Sequence, residues 1–332
     1  MIKIALVGDV WNEADERAKA PFTGNTGYVL NSLLSDAGIH RADCLVTCAF
    51  NLRPPNSNDV VNLCVSKKEC GHDYPAISQG KYIHSKYLPE LIRLRAELDE
   101  AKPNIIVALG PAALWALTYQ TGFLAKRGTA LAHGLWKILP TYHPISIVKD
   151  YSNRHTAVLD LMKAARESEY PELRRPSRLI FTDPTLPEME SFYAAFLHNA
   201  RHVAFDIETK ASQITCIGFA PSIDRALVVP FWDGRASGGN YWPDAISEKL
   251  AWEFVAKVLR TRSRKITQNG LYDVNFLWRA YGITVNNWTD DTMLMHHALH
   301  PEAKKGLGFL GSVYTNEASW KIMRNKTSKK EN

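Results

Sequence analysis

Over the first half of the chain, short uniformly apolar runs alternate with longer stretches of helical spacing. Residues 2–7 (IKIALV), 44–47 (CLVT), 104–109 (NIIVAL) and 137–141 (KILPT) read as strands, whereas 87–102 and 111–119 repeat their apolar positions every three to four residues. Strands that are apolar on both parities and separated by helices predict a parallel sheet with a helical layer on each side. A charged, proline-bearing stretch over 167–178 breaks this rhythm after a helix expected at 154–166, so a domain boundary is placed near 171–175.

Beyond the boundary the pattern changes. A helical stretch over 186–199 precedes three strand-like runs that start at His202, Gln213 and Ala226. Too few residues separate these runs for helical crossovers, which predicts an antiparallel meander. Helical spacing at 245–260, 273–281 and 291–299 then completes a second α/β domain with a mixed sheet. Residues 321–332 are basic and poor in apolar side chains, the composition of a frayed tail. The expected organisation is a domain over 1–170, a second over 176–320 and a tail over 321–332.

Composition narrows the function classes. A chain of 332 residues, 45% hydrophobic and 22% charged, has the balance of two globular domains and excludes global disorder. No window approaches the roughly 18 uninterrupted apolar residues of a membrane span, and no basic-then-apolar leader opens the sequence. A cytoplasmic protein without a membrane partner is the expectation. The five cysteines are odd in number and lack paired C-x2-C spacing, which points to reduced thiols without a bound metal. A net charge of +6 is compatible with a polyanionic partner.

Two groups of residues carry candidate chemistry. The first gathers at strand ends: GDVWNEADE (8–16) and PFTGNTG (21–27) after the first strand, RPPNSND (53–59) after the second, and YHP (142–144) after the fourth. Ligands of open parallel sheets bind beyond the carboxyl ends of strands, so these segments share one rim. In this order they resemble the family 4 and family 5 uracil-DNA glycosylases over about residues 1–165. The resemblance implies that Phe22 stacks on an extruded base, that His143 donates a hydrogen bond to a uracil oxygen, and that Asp9 or Asp15 orients water.

It also places Arg53 beside the base reader and puts Cys48 where the family carries an asparagine. A thiol cannot replace an amide that both donates and accepts. Trp11 and Asn12 likewise stand at positions that are usually proline and glycine. The iron-sulfur cysteines of the family have no counterparts, with Leu52 before Arg53, so no iron-sulfur cluster is expected. Weak or absent uracil excision follows.

The second group is FDIET (205–209) with NGLYDVNFL (269–277). On a strand Asp206 and Glu208 project from one face, and Asp273 adds a third carboxylate from a following helix, a set of hard oxygens suited to Mg²⁺ or Mn²⁺. With DTMLMHHALHP (291–301) and KGLGFLGSVYT (305–315), these motifs resemble the DEDD 3′-5′ exonuclease domains of bacteriophage family A DNA polymerases over roughly 176–320. The resemblance implies two cations held by Asp206, Glu208 and Asp273, with Asn269 steadying the site or the substrate strand and Asp291 in a structural role.

The family's third motif, a Tyr or His four residues before an Asp, has no counterpart in 316–332, where no aspartate occurs. The expected fold is therefore a uracil-DNA-glycosylase-like three-layer α/β/α domain with a parallel four-stranded sheet, then a ribonuclease-H-like α/β domain with a mixed sheet. The expected function is replication-associated. The second domain would be an incomplete proofreading-type exonuclease, completed by a separate polymerase chain and acting on single-stranded DNA or a 3′ end. The alternative is an inert DNA-binding accessory module.

Overall fold

The computed structural model describes residues 2–317, which divide into two compact units; the expected tail at 321–332 lies outside the described residues. The first unit contains strands β1 (Ile4–Val10), β2 (Cys44–Phe50), β3 (Cys64–Val65), β4 (Tyr82–Ile83), β5 (Ile105–Leu109), β6 (Leu131–His133) and β7 (Trp136–Thr141). Its main sheet has the order β2-β1-β5-β7-β6, and β3 and β4 form a separate two-stranded ladder. The first four strands of that order run parallel, but β6 adds an antiparallel edge through a hairpin with β7. The four-stranded expectation is thereby corrected to five, because a three-residue strand carries too short a pattern to stand out in sequence.

Successive residues of the central strands feed opposite cores. Ala5, Val7, Ile106 and Ala108 pack with the helices Leu88–Ala101 and Pro111–Thr118. Ile4, Leu6, Ile105 and Val107 pack with the helices Asn25–Asp36 and Asn153–Glu167. This two-sided burial explains why the strands are apolar on both parities.

The second unit, Pro176–Pro301, holds β8 (Leu179–Phe181), β9 (His202–Lys210), β10 (Gln213–Ser222), β11 (Arg225–Pro230), β12 (Arg264–Thr267) and β13 (Trp288–Asp291) in the order β13-β12-β9-β10-β11-β8. β9, β10 and β11 form the expected antiparallel meander, and β12 and β13 extend it in parallel from β9. That central order is the ribonuclease-H-like arrangement. The helix Leu186–Phe192 continues through a π-helical turn at Tyr193–Leu197. The helices Ala245–Leu259 and Leu271–Tyr281 complete the core with it.

One segment departs from the expected division. Among the described residues, 302–317 group with the first unit, although sequence reading places 302–320 in the second domain. The helix Leu307–Tyr314 is held there by buried charge: Arg127 bonds Asp160 Oδ1 at 2.5 Å and Ser312 Oγ at 2.5 Å, while its guanidinium lies 4.8 Å from the Phe309 ring centroid. Lys163 Nζ donates to the carbonyls of Gly128 and Ser312 at 2.7 and 2.8 Å and also to that of Thr315. A cation at the carbonyl end of a helix is favourable, and burial strengthens it.

Because Arg127 and Asp160 are both buried, Asp160→Ala leaves an unpaired guanidinium in the interior. It should destabilise the first unit by about 3–5 kcal/mol, read as a shift of that unit's transition in a urea titration. A loss below about 1 kcal/mol, the range of an exposed pair, would contradict the keystone role.

Candidate functional site

In the first unit the carboxyl ends of all four parallel strands open onto one cavity of about 600 Å³. Asp9 and Val10 end β1, residues 57–61 follow β2, Pro111 and Ala112 begin the helix after β5, and His143 follows β7. The cavity lies where the chain leaves β1 toward β2 on one side and returns along β5 on the other, the switch point of an open sheet.

Asp9 points at the amino end of the helix Pro111–Thr118, where its Oδ1 accepts from Ala113 N–H at 2.8 Å. Gly110, at φ +107°, makes room for it: a Cβ there would lie 2.7 Å from Asp9 Oδ2. Burial drives the Asp9 carboxyl up to about 7 against the pull of the helix N–H groups. Asp15, by contrast, is saturated. It accepts from Asn12 N–H at 3.1 Å, Thr23 N–H at 2.7 Å and Thr23 Oγ1 at 3.0 Å, closing the capping box of the helix Glu13–Ala18. Both carboxylates line the cavity, and only Asp9 leaves the choice of a chemical role open.

His143 caps the helix Pro144–Lys149, its Nδ1 accepting from Ile145 N–H at 3.1 Å. An accepting Nδ1 places the ring proton on Nε2, which makes that atom a donor. Burial lowers the His143 pKa to about 4, so the donor is neutral. The Phe22 ring lies 5.5 Å from it, centroid to centroid and tilted by 34°. Phe22 is 3% exposed and sits at φ +55°, a strained conformation for a bulky residue. Arg41 holds it by donating to the Pro21 and Phe22 carbonyls at 3.0 and 3.1 Å. Two glycines clear its path: a Cβ at Gly8 would meet the ring at 2.5 Å, and one at Gly27 would meet the Phe22 carbonyl at 1.9 Å.

Cys48 is 1% exposed and stands behind Gly8 instead of on the cavity wall. Burial, then the Asp15 and Asp9 charges, pushes its thiol well above the ordinary range, so it remains protonated. Nor does Arg53 reach the cavity wall. It straps two loops, bonding Asn58 Oδ1 at 3.2 Å and pairing with Glu16 at 3.6 Å and Glu13 at 3.9 Å. Sequence reading missed Ile77, Ser78 and Lys149 on the wall, for which no motif gave a signal. Asn51, the nearest amide to Cys48, is spent locally: its Oδ1 accepts from Trp11 Nε1 and Cys48 N–H, both at 3.1 Å.

In the second unit Asp206 and Glu208 stand exposed on one face of β9 between the buried Phe205 and Ile207. β12 pairs with β9 only as far as Ala204. Past that point the Ile207 N–H donates 2.9 Å to Asp273 Oδ1, so a side-chain carboxylate takes the place of the ladder partner. Burial raises the Asp273 pKa, helped by the charges of Asp291 and Glu208, while the backbone bonds oppose the shift.

Asp291 is the clamp. It accepts from Asn269 and Gly270 N–H at 3.1 and 2.8 Å and from Met293 N–H at 2.9 Å. The clamp holds Asn269 at φ +59°, with its side chain exposed, and Gly270 where a Cβ would lie 2.1 Å from Thr267 Oγ1. The turn then delivers Asp273 in the first turn of its helix. Among the described residues, no three His, Cys, Asp or Glu side chains close into a group that could hold a metal ion. The expected triad does not close into such a group: Asp206 and Glu208 share a face of β9, while Asp273 Oδ1 is turned toward the Ile207 backbone. Their hard oxygens still fit a divalent cation in donor type.

Comparison with known proteins gives each unit a family. Residues 2–165 match the uracil DNA glycosylase superfamily and residues 185–331 match the 3′-5′ exonuclease family. The chain is 28% identical over 167 residues to a type-4 uracil-DNA glycosylase of Thermotoga maritima, covering 49% of this chain and 76% of that protein. It is 25% identical over 155 residues to the type-4 enzyme of Pyrobaculum aerophilum, covering 44% and 68%. Among solved structures it is similar to Escherichia coli RNase D, an exoribonuclease involved in structured RNA processing, at 15% identity and a TM-score of 0.33. That match covers 45% of this chain and spans 36% of RNase D. The chain thus carries a uracil DNA glycosylase superfamily domain followed by a 3′-5′ exonuclease domain.

Proposed function

We propose that the chain handles single-stranded DNA in a replication setting in the cytoplasm. In this reading the second unit holds a 3′ end at a divalent-cation site built on Asp206, Glu208 and Asp273. The first unit receives an extruded base without excising uracil efficiently. The observation that carries the first part is the bond from Ile207 N–H to Asp273, which seats a third carboxylate against the strand segment bearing the other two.

Bound there, Mg²⁺ or Mn²⁺ would supply activation of water and stabilisation of the departing 3′ oxygen. The chain's own part is positioning. Asp206 and Glu208 set the charge on the open face, Ile207 anchors Asp273, and the Asp291 clamp fixes the turn through Asn269. The remaining carboxylate that the family resemblance calls for comes, in this reading, from polypeptide outside residues 1–332, with a separate bacteriophage-type polymerase chain as its source.

Mn²⁺ uptake followed by electron paramagnetic resonance should be weak but measurable and should disappear in Asp206→Ala. Metal-dependent shortening of single strands should rise only when the completing polypeptide is added, and chelation should stop it. Uptake that Asp206→Ala leaves unchanged would sink the site. A second reading, a DNA-binding module without nuclease activity, is favoured by the absence of a closed three-ligand group among the described residues. It predicts salt-sensitive binding with no Mn²⁺ uptake.

In the first unit, the neutral His143 Nε2–H is a donor for a base carbonyl and the Phe22 ring offers an aromatic edge. Buried Cys48 offers no amide to read the base. A site stripped of its polar reader loses discrimination by up to roughly 10⁴-fold. Uracil-containing single strands should therefore bind yet yield almost no abasic product. Abundant product that His143→Ala abolishes would overturn this.

His143 and Asp9 set an opposed pH dependence. With its pKa depressed to about 4, His143 gives a contribution that is present above its unfolded pKa of 6.5 and is lost as pH falls toward 4. With its pKa raised to about 7, Asp9 gives one that is full below its unfolded value of 3.8 and is lost as pH rises through 7. Nuclear magnetic resonance should show a carboxyl midpoint near 7 that Asp9→Asn removes, and a His143 ring that does not titrate between about pH 5 and 8. A His143 midpoint near 6.5 would contradict the neutral donor.

A further inference from the structure

We propose that Trp232, flanked by Lys210, is a stacking platform for a nucleobase at or next to the 3′ end of single-stranded DNA. The inference rests on the DNA-end reading of the carboxylate face and deepens it. Asp206, Glu208 and Lys210 occupy alternate positions of β9 and so share one face. Lys210, whose backbone lies about 7 Å along the strand from that of Glu208, carries its Nζ 4.6 Å from the Trp232 ring centroid, which brings the indole alongside that face.

A bulge in β10 sets the placement. The register between β9 and β10 slips between Ile214 and Cys216, and the extra residue, Thr215, turns its carbonyl to accept from both Phe231 and Trp232 N–H at 2.8 and 3.1 Å. Its hydroxyl donates to the Glu208 carbonyl at 3.0 Å. A bulge of this kind re-aims the chain beside a site, and here it ties the Trp232 backbone to the residue that bears Glu208.

The loop after Trp232 is shaped around the ring. It closes with an Asp233 N–H to Gly239 carbonyl bond of 2.8 Å and a bridge between Trp232 and Asn240. A Cβ at Gly234 or at Gly239 would lie 2.7 Å from an indole atom, so only glycine lets the backbone approach this closely. The ring is nonetheless 47% exposed and belongs to none of the hydrophobic cores of the described residues. A half-exposed indole with two glycines against it and a lysine over it stands outside those cores. It has the parts of a single-strand contact, an aromatic surface for a base and a cation for a phosphate. Because bases stack on aromatic rings whatever their identity, this contact would grip an end without reading its sequence.

The test uses the full chain in chelator, where no hydrolysis occurs, with eight-nucleotide deoxythymidine strands carrying 5-iododeoxyuridine at one position each. Irradiation should crosslink Trp232 when the iodinated base is terminal or penultimate at the 3′ end, as mapped by mass spectrometry. In fluorescence anisotropy Trp232→Ala should bind the unmodified strand at least about fivefold more weakly, the low end for one lost base stack, and Trp232→Phe should recover part of the loss. A crosslink that maps elsewhere, or Trp232→Ala affinity equal to wild type, would overturn the platform. Neither readout depends on metal. Failed Mn²⁺ uptake with an intact crosslink would therefore reject the cation site alone.

Discussion

The Ile207 N–H to Asp273 bond is the contact on which the carboxylate site proposed for the second unit depends. β12 leaves β9 after Ala204, and a buried strand N–H without a partner costs about as much as a lost hydrogen bond. The Asp273 carboxylate supplies the partner and is thereby positioned by main chain, not by a free rotamer. The first unit uses the same device at the other kind of backbone end, where Asp9 accepts from the helix N–H of Ala113. In both units burial raises the carboxyl pKa while main-chain donors oppose the rise.

Both sites also store backbone strain beside those carboxylates. Phe22 and Asn269 each occupy positive φ, a conformation that costs of order 1–3 kcal/mol unless the surroundings impose it. Arg41 imposes it on Phe22 through two carbonyls, and Asp291 imposes it on the Asn269 turn through consecutive N–H groups. The residues that appear structural are thus the ones that aim the polar groups. Substituting Arg41 or Asp291 would move a site without touching its chemistry.

Much of this was legible in the sequence, for identifiable reasons. Strands apolar on both parities gave the parallel sheet, short spacings gave the meander, and D-x-E on a strand gave a shared carboxylate face. The short strands β6, β8 and β13 carry too few positions for a period and went unread, whereas β12, equally short, was placed by the strand-then-helix order before Asp273. The docking of the helix Leu307–Tyr314 on the first unit was also hidden. It depends on Arg127 and Lys163 meeting Ser312, residues far apart in the chain whose local patterns look ordinary. At the first site, sequence could not separate Asp9 from Asp15. In the structure Asp15 is taken up by nearby Asn12 and Thr23, whereas Asp9 accepts from Ala113 N–H, 104 residues away in the chain. The roles given to Cys48 and Arg53 by position alone fail for a related reason: one side chain is covered by Gly8 and Phe22, and the other is taken up by acidic neighbours.

Capture of a base and its excision draw on different terms, and the first site has kept one set more fully than the other. Capture needs a cavity, an aromatic contact and a neutral donor, and the open wall, Phe22 and His143 Nε2 provide them. Excision adds charge: electron density builds on the departing base while the sugar becomes cationic, and only groups that strengthen their contacts at that moment raise the rate. A carboxyl with a pKa near 7 is about half protonated at neutral pH, so Asp9 offers a developing cation only part of a charge. Cys48, buried and protonated, offers the base no amide at all. Neither change touches stacking. On the reading proposed for the first unit, these terms favour binding of an extruded base over its excision.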